Sequence, residues 1–215
     1  MKPKKDPIEF MNRMLTSYKS VHNETYWEEI SPFINNTNNN RILDIGCGPG
    51  LLLQDMFNRF KFKHLIGLDL SPIMLEKAKE ILESTLDHGH FTLIEQHMQE
   101  NPILPPDLDL IVSSRVLRSF DNLDEVMSNI KDSLNSDGKL IILDWIYAPI
   151  NSYDKWFSQR EGFEDLSKAE IIRYHRNFAR YTIQDWYFIL EAFDFNPVHS
   201  FQPGDTFCCI VATHK

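Results

Sequence analysis

The chain has 215 residues, enough for one domain that buries most of the surface its unfolded form would expose. With 42% hydrophobic residues, 12% aromatics and a formal net charge of -9, it reads as an ordinary soluble globular protein and argues against a polyanion-binding coat or a disordered tail. No apolar run approaches the ~20 residues that span a bilayer, and Met1 to Asp6 lead into no signal-peptide core, so no membrane partner is expected and the cytoplasm is the simplest location.

Residues 7 to 35 carry Ile8, Met11, Met14 and Leu15, then Tyr26, Trp27, Ile30 and Phe33, at spacings that predict two short helices ahead of the first strand. The run Asn35 to Asn40 has no periodicity and reads as a solvated linker. Arg41 to Ile45 then form an apolar run of buried-strand type. Gly46-Cys47-Gly48-Pro49-Gly50 make a tight turn, and Leu51, Leu52, Leu53, Met56, Phe57 and Phe60 continue as a helix. Glycines at such a turn accept φ > 0 and let a ligand approach the backbone, while the helix start behind them offers unpaired N–H groups to a nucleotide-like ligand.

These glycines run G-x-G-x-G after Asp44, not the G-x-G-x-x-G of dinucleotide folds, which weakens a hydride-transfer reading. The segment Leu43-Asp44-Ile45-Gly46-Cys47-Gly48-Pro49-Gly50 closely resembles motif I of the class I S-adenosylmethionine-dependent methyltransferases. The resemblance implies S-adenosyl-L-methionine as cofactor, with Asp44, Gly46, Cys47 and Gly48 lining its site. It implies an α/β, Rossmann-like, doubly wound seven-stranded sheet in a three-layer sandwich, mostly parallel with an antiparallel last strand. Tyr18 and Tyr26 are similar to tyrosines that many members place over the cofactor, although aromatics at helical spacing are more often core.

The second strand, His64 to Asp69, is followed by Ser71-Pro72, which starts a helix as an N-cap with proline at N1. Asp69 ends that strand where a carboxylate accepts hydrogen bonds from both ribose hydroxyls of a nucleoside; helix capping is the plainer alternative. The third strand, Phe91 to Glu95, runs into Gln96-His97-Met98. Family members usually carry an acid for the adenine amine here, and this sequence departs from that. The Gln96 side-chain carbonyl can accept from the amine, and a register slip of one would give the task to Glu95. The resemblance extends the cofactor set to Leu70, Gln96, His97, Met98 and Ser113. His97 has no partner that suggests a metal or a catalytic dyad, and no metal is expected.

Leu108 to Ser114 read as the fourth strand, Phe120 to Leu134 as a helix ended by the turn Asn135-Ser136-Asp137-Gly138, and Lys139 to Trp145 as the fifth strand. Strands alternating with helices require a parallel sheet covered on both faces. Arg115 and Arg118 follow strand four. Arg115 is an even choice between an anion clamp on the acceptor and ion pairing with the acids at 121, 124 or 125, and pairing is favoured for Arg118.

Residues 146 to 181 fall outside the alternation. They are rich in aromatics, among them Tyr147, and Arg173, Arg176 and Arg180 recur there at helical spacing. Placed after strand five, the segment reads as a lid-like insertion presenting Tyr147, Arg173 and Arg176 to an acceptor. A helix with its arginines in solvent, or a dimer contact, fits the same pattern. A helix over Thr182 to Phe193 and a terminal hairpin close the chain. The layout is thus one domain, residues 1 to 215: a helical cap to residue 40, a cofactor core over 41 to 145, the insertion, and the last helix with its hairpin over 182 to 215. Cys47, Cys208 and Cys209 form no C-x-x-C pair or disulfide framework and read as packing residues.

The expected activity is methyl transfer from S-adenosylmethionine to a small-molecule acceptor, possibly anionic, with no nucleic-acid partner. Its rival is a cofactor-binding regulatory or scaffold protein without catalysis. Alignment and desolvation carry such a reaction, so no catalytic residue is assigned, and the acceptor decides whether a base is needed.

Overall fold

The computed structural model describes residues 6–34, 40–86, 89–100, 103–160, 163 and 166–215. The linker expected at 35 to 40 lies, but for Asn40, outside the described residues. Two helices come first, α1 (Pro7–Val21) and α2 (Glu24–Ile34). There follow β1 (Arg41–Ile45), α3 (Leu51–Phe60), β2 (His64–Asp69), α4 (Pro72–Glu83), β3 (Phe91–Glu95) and β4 (Leu108–Ser114). A 3-10 turn at Leu117–Ser119 precedes α5 (Leu123–Ser133) and β5 (Leu134–Trp145). The chain then continues through α6 (Ile150–Ser158), α7 (Lys168–Phe178), α8 (Ile183–Ala192), β6 (Phe195–Gly204) and β7 (Phe207–His214).

The seven strands form one sheet in the order β3-β2-β1-β4-β5-β7-β6, with β1 to β5 parallel and β7 antiparallel to both its neighbours. Order reverses between β1 and β4, and an open α/β sheet binds its ligands at the carboxyl ends beside such a switch point. Strand alternation splits the sheet's side chains between two apolar layers. Ile42, Leu110, Val112, Leu143 and Trp145 pack against the helices α1, α2, α3, α6 and α7. Leu43, Ile45, Ile111, Ile142 and Cys208 pack on the other face, with α5 and α8. Each fully buried Leu or Ile contributes about 1.5–3 kcal/mol, so the two layers hold the strand ends that carry the site. All three cysteines are free and buried.

Local signals explain most helix starts. The Asp6 carboxylate accepts from the Ile8 N–H at 3.0 Å, with Pro7 in the first turn, and both Ser167 with Glu170 and Thr182 with Asp185 close capping boxes on α7 and α8. Ser71 caps α4 without a side-chain hydrogen bond; its N–H instead donates to Asp69. The turn expected at 135 to 138 is a correction. Strand β5 begins at Leu134, pairs it with Leu108, and shifts register before Lys139 meets Leu110. The Asn135 amide donates to Asp109 at 2.9 Å, so a side chain bridges what reads locally as a turn. No helix among the described residues is long and apolar enough to cross a membrane.

Candidate active site

Gly46, Gly48 and Gly50 all have positive φ, at 75°, 51° and 80°, as the sharp descent from β1 into α3 requires. A Cβ on Gly46 would lie 2.4 Å from the Val116 side chain, and one on Gly48 2.6 Å from Met14. Three cavities meet at this turn, and Gly46 lines all of them. The first, about 250 Å³, runs along the ends of β2 and β3 past Leu68, Asp69, Leu70, Gln96, His97 and Met98. A second of about 250 Å³ lies under α1, α6 and α7, walled by Met14, Trp145, Phe157, Phe163 and Phe178, with Arg115 and Arg118 among its lining. A small third, about 30 Å³, adjoins the second and lies against Tyr18, His22, Asp44, Cys47, Ser114 and Arg115.

Asp69 bridges the turn and the next helix start: it accepts from the Gly48 N–H at 2.8 Å and the Ser71 N–H at 2.9 Å. Burial raises its carboxyl, and those N–H bonds oppose the rise. Asp44 is 2% exposed, and its Oδ1 has no hydrogen-bond partner. Burial first, then the nearby Asp69, pushes this carboxyl up to about 8. Arg115 sits in a left-handed conformation, φ 68°, held by its N–H to the Leu143 carbonyl at 2.6 Å. Its guanidinium makes no hydrogen bond or ion pair to any described residue; burial, then Arg118, lowers it to about 10. His22 stacks on Tyr18 and places Nε2 3.1 Å from the Ser114 Oγ. Burial, followed by Arg115, lowers its imidazole to about 3, so it is neutral.

Several expected site residues lie elsewhere. Ser113 turns to the other face of the sheet, bonds the Ile45 carbonyl and lines none of these three cavities; the period of two puts Ser114 in the site instead. Tyr18 lines the small cavity and donates to Asp55 at 2.8 Å, whereas Tyr26, 1% exposed, packs against Trp27 in the core. Gln96 lines the first cavity and Glu95 does not. Tyr147, Arg173 and Arg176 are exposed and line none of these three cavities; α7 turns Ile171, Tyr174 and Phe178 inward and rolls Arg173 and Arg176 outward. Arg118 is paired, but with Asp144 from β5 and not with a following acid; Arg180 takes Asp121. Sequence reading missed His22 entirely, although its place four residues after Tyr18, at the C-cap of α1, was a signal. Among the described residues, no group of three or more His, Cys, Asp or Glu side chains is placed to hold a metal ion.

Residues 43–140 match the model of a methyltransferase-domain family. Over that segment the chain carries a methyltransferase domain, and its fold is that of solved S-adenosylmethionine-dependent methyltransferases. A solved S-adenosylmethionine-dependent methyltransferase from Aquifex aeolicus shares the methyltransferase fold, with a TM-score of 0.71 at 15% identity over 99% of this chain and 100% of that one. An uncharacterized protein of Haemophilus influenzae is 33% identical over 147 residues, 67% of this chain and 56% of its own length. A tRNA U34 carboxymethyltransferase of Shewanella sediminis is 29% identical over 116 residues, 54% of this chain and 34% of its own length. The methyltransferase domain's cofactor is S-adenosyl-L-methionine, and the first and third cavities have linings that fit such a group. The first has Asp69, Gln96, His97, Gln99 and Ser119 among its lining. In the third, the Asp44 Oδ1 is without a hydrogen-bond partner, and the glycine cradle leaves room for backbone approach.

Proposed function

We propose that this chain transfers a methyl group from S-adenosylmethionine to a small anionic acceptor. The observation behind it is the meeting of an aromatic-walled cavity with the amino-acid cavity at Met14, Gly46, Ser114 and Arg115. Bound S-adenosylmethionine supplies an electrophilic sulfonium methyl. Gly46, Gly48 and Asp69 hold the nucleoside, with Leu70, Gln96, His97 and Met98 along the base. Asp44 holds the ammonium, and Arg115 draws an anion to the junction. The cap α1 and the 146 to 181 segment, whose Phe157, Phe163 and Phe178 wall the cavity, exclude water, which strengthens every charge interaction inside. A tRNA acceptor is disfavoured by the net charge of -9 and by the apolar walls.

A thermal-shift series tests the cofactor half: S-adenosylhomocysteine should raise the midpoint of the wild type and NAD should not, since only a ligand bound to the native state stabilises it. Asp69→Ala should weaken S-adenosylhomocysteine by about 1–3 kcal/mol in calorimetry, the cost of unpaired buried partners. Unchanged affinity in a folded Asp69→Ala chain would remove the ribose assignment.

The Asp44 pairing carries a pH signature. Because burial raises this carboxyl to about 8, it is largely protonated below that pH and must lose a proton to face an ammonium. Ligand affinity should therefore rise with pH, by up to roughly tenfold per unit, from about pH 6 to 8, and then level off. Asp44→Asn should flatten the profile, as calorimetry at four pH values would show; a wild-type profile already flat would separate Asp44 from the ammonium.

A further inference from the structure

We propose that the atom methylated is an oxygen of a carboxylate that Arg115 grips, so that the product is a methyl ester. This rests on the methyltransferase reading above and adds the chemical class of the acceptor and the bond that is made.

Position comes first. Arg115 lines both the aromatic cavity and the small cavity beside Asp44, so an anion on its guanidinium sits where the two meet, the junction at which the proposed reading brings acceptor and cofactor together. The guanidinium makes no hydrogen bond or ion pair to a described residue; Asp144, Tyr18 and Asp44 act on it only at longer range, and a half-buried cation facing a cavity in this way suits an anionic ligand. Of the other cationic liners, Arg118 is bound to Asp144 and Arg13 to Glu9, which leaves Arg115 as the available fork. The cofactor's own α-carboxylate has another partner at hand: α3 opens at Leu51 with no side-chain cap, and its first N–H groups, with Leu51 and Leu52 lining the small cavity, are anion donors.

The second argument concerns protons. An alcohol, phenol or amine must shed one during transfer, so a base is needed. The ionisable side chains that line the aromatic cavity among the described residues are Arg13, Arg115, Arg118, Asp69 and Tyr174, and Asp69 is engaged by the Gly48 and Ser71 N–H groups. His22 reaches the cavity only through Ser114, and its imidazole, held near 3, binds a proton in only about one molecule in 10⁴ at pH 7. A carboxylate arrives already ionised. One oxygen attacks the methyl carbon, the C–S bond breaks with its electron pair remaining on sulfur, and the negative and positive charges cancel without any proton moving. The aromatic walls of Trp145, Phe157, Phe163 and Phe178 suit an acid with a planar apolar body.

The test has a binding arm and a transfer arm. Calorimetry titrates cinnamate, phenylacetate and indole-3-acetate, and the matched alcohols, into the wild type saturated with S-adenosylhomocysteine. At least one acid should bind and its alcohol should not. Arg115→Met should lose that acid by about 100-fold while holding S-adenosylhomocysteine within about threefold, and Arg115→Lys should recover part of the loss. In the transfer arm, methyl-tritiated S-adenosylmethionine with the same acids should give label that mild alkali releases as methanol, at a saturated rate flat from about pH 6 to 9, where a carboxylate is fully ionised. Label stable to alkali, transfer to an alcohol, or binding of none of the acids by a chain that binds S-adenosylhomocysteine overturns the proposal and leaves the methyltransferase reading standing. A large loss of S-adenosylhomocysteine in Arg115→Met assigns the arginine to the cofactor and also overturns it. Failure of the wild type to bind S-adenosylhomocysteine removes the underlying reading itself.

Discussion

A single methyl group added at Gly46 should weaken cofactor binding at least about 100-fold. Two separate penalties meet at this position. Its φ of 75° is left-handed, where a side chain costs roughly 1–2 kcal/mol, and the new Cβ would stand 2.4 Å from the Val116 Cγ2 and 3.2 Å from its Cβ. A β-branched side chain has little freedom to retreat, so the backbone of the turn must move instead. Because Gly46 lines all three cavities, any such shift reaches the nucleoside, amino-acid and acceptor regions together. Gly46→Ala should lower S-adenosylhomocysteine affinity by at least about 100-fold and cost about 2–3 kcal/mol of stability by urea unfolding. Gly48→Ala should do less, about tenfold, because its Cβ would meet the mobile end of Met14. Adding Val116→Ala to Gly46→Ala should recover part of the loss by removing the clash while leaving the φ penalty. Wild-type affinity in Gly46→Ala would detach the turn from the cofactor.

The glycine turn and the parallel core could be read from the sequence because their causes are local: an apolar run, residues that tolerate positive φ, and a helix repeat, all within twenty residues. What depended on register or on distant partners could not. Ser113 and Ser114 are adjacent and chemically identical, and only strand pairing decides which of them faces the cavities. Arg173 and Arg176 recur at helical spacing, as read, but that spacing gives no sign of which way the helix rolls; packing of Tyr174 on Phe157 and Phe178 decides it. The early start of β5 hangs on Leu134 pairing with Leu108, a contact across the sheet. Arg118 was given the nearby acids as partners because local pairs are what a linear reading sees, while its true partner lies 26 residues away.

Removing the Asp144 carboxylate should be the most destabilising single change in the site. Asp144 is wholly buried and accepts from the Arg118 guanidinium, the Arg118 N–H at 3.1 Å and the Trp145 N–H at 2.8 Å. Asp144→Ala strands a buried guanidinium and two N–H groups, so it should cost about 3–5 kcal/mol by urea denaturation. Arg118→Met should cost less, because the remaining carboxylate keeps two N–H donors and the methionine preserves contact with the Phe178 ring, which the guanidinium overlies at 4.5 Å. The double variant should be more stable than Asp144→Ala alone, since no charge is left buried without a partner; additive losses would mean that the pair is not coupled. A second readout follows from the same network. The Arg118 guanidinium also donates to the Arg115 carbonyl and so pins the left-handed backbone that aims Arg115. Arg118 is in this sense a positioning residue. Folded Arg118→Met should therefore lose affinity for anionic acceptors about tenfold while keeping S-adenosylhomocysteine, a split that a purely structural pair, lowering stability alone, would not produce.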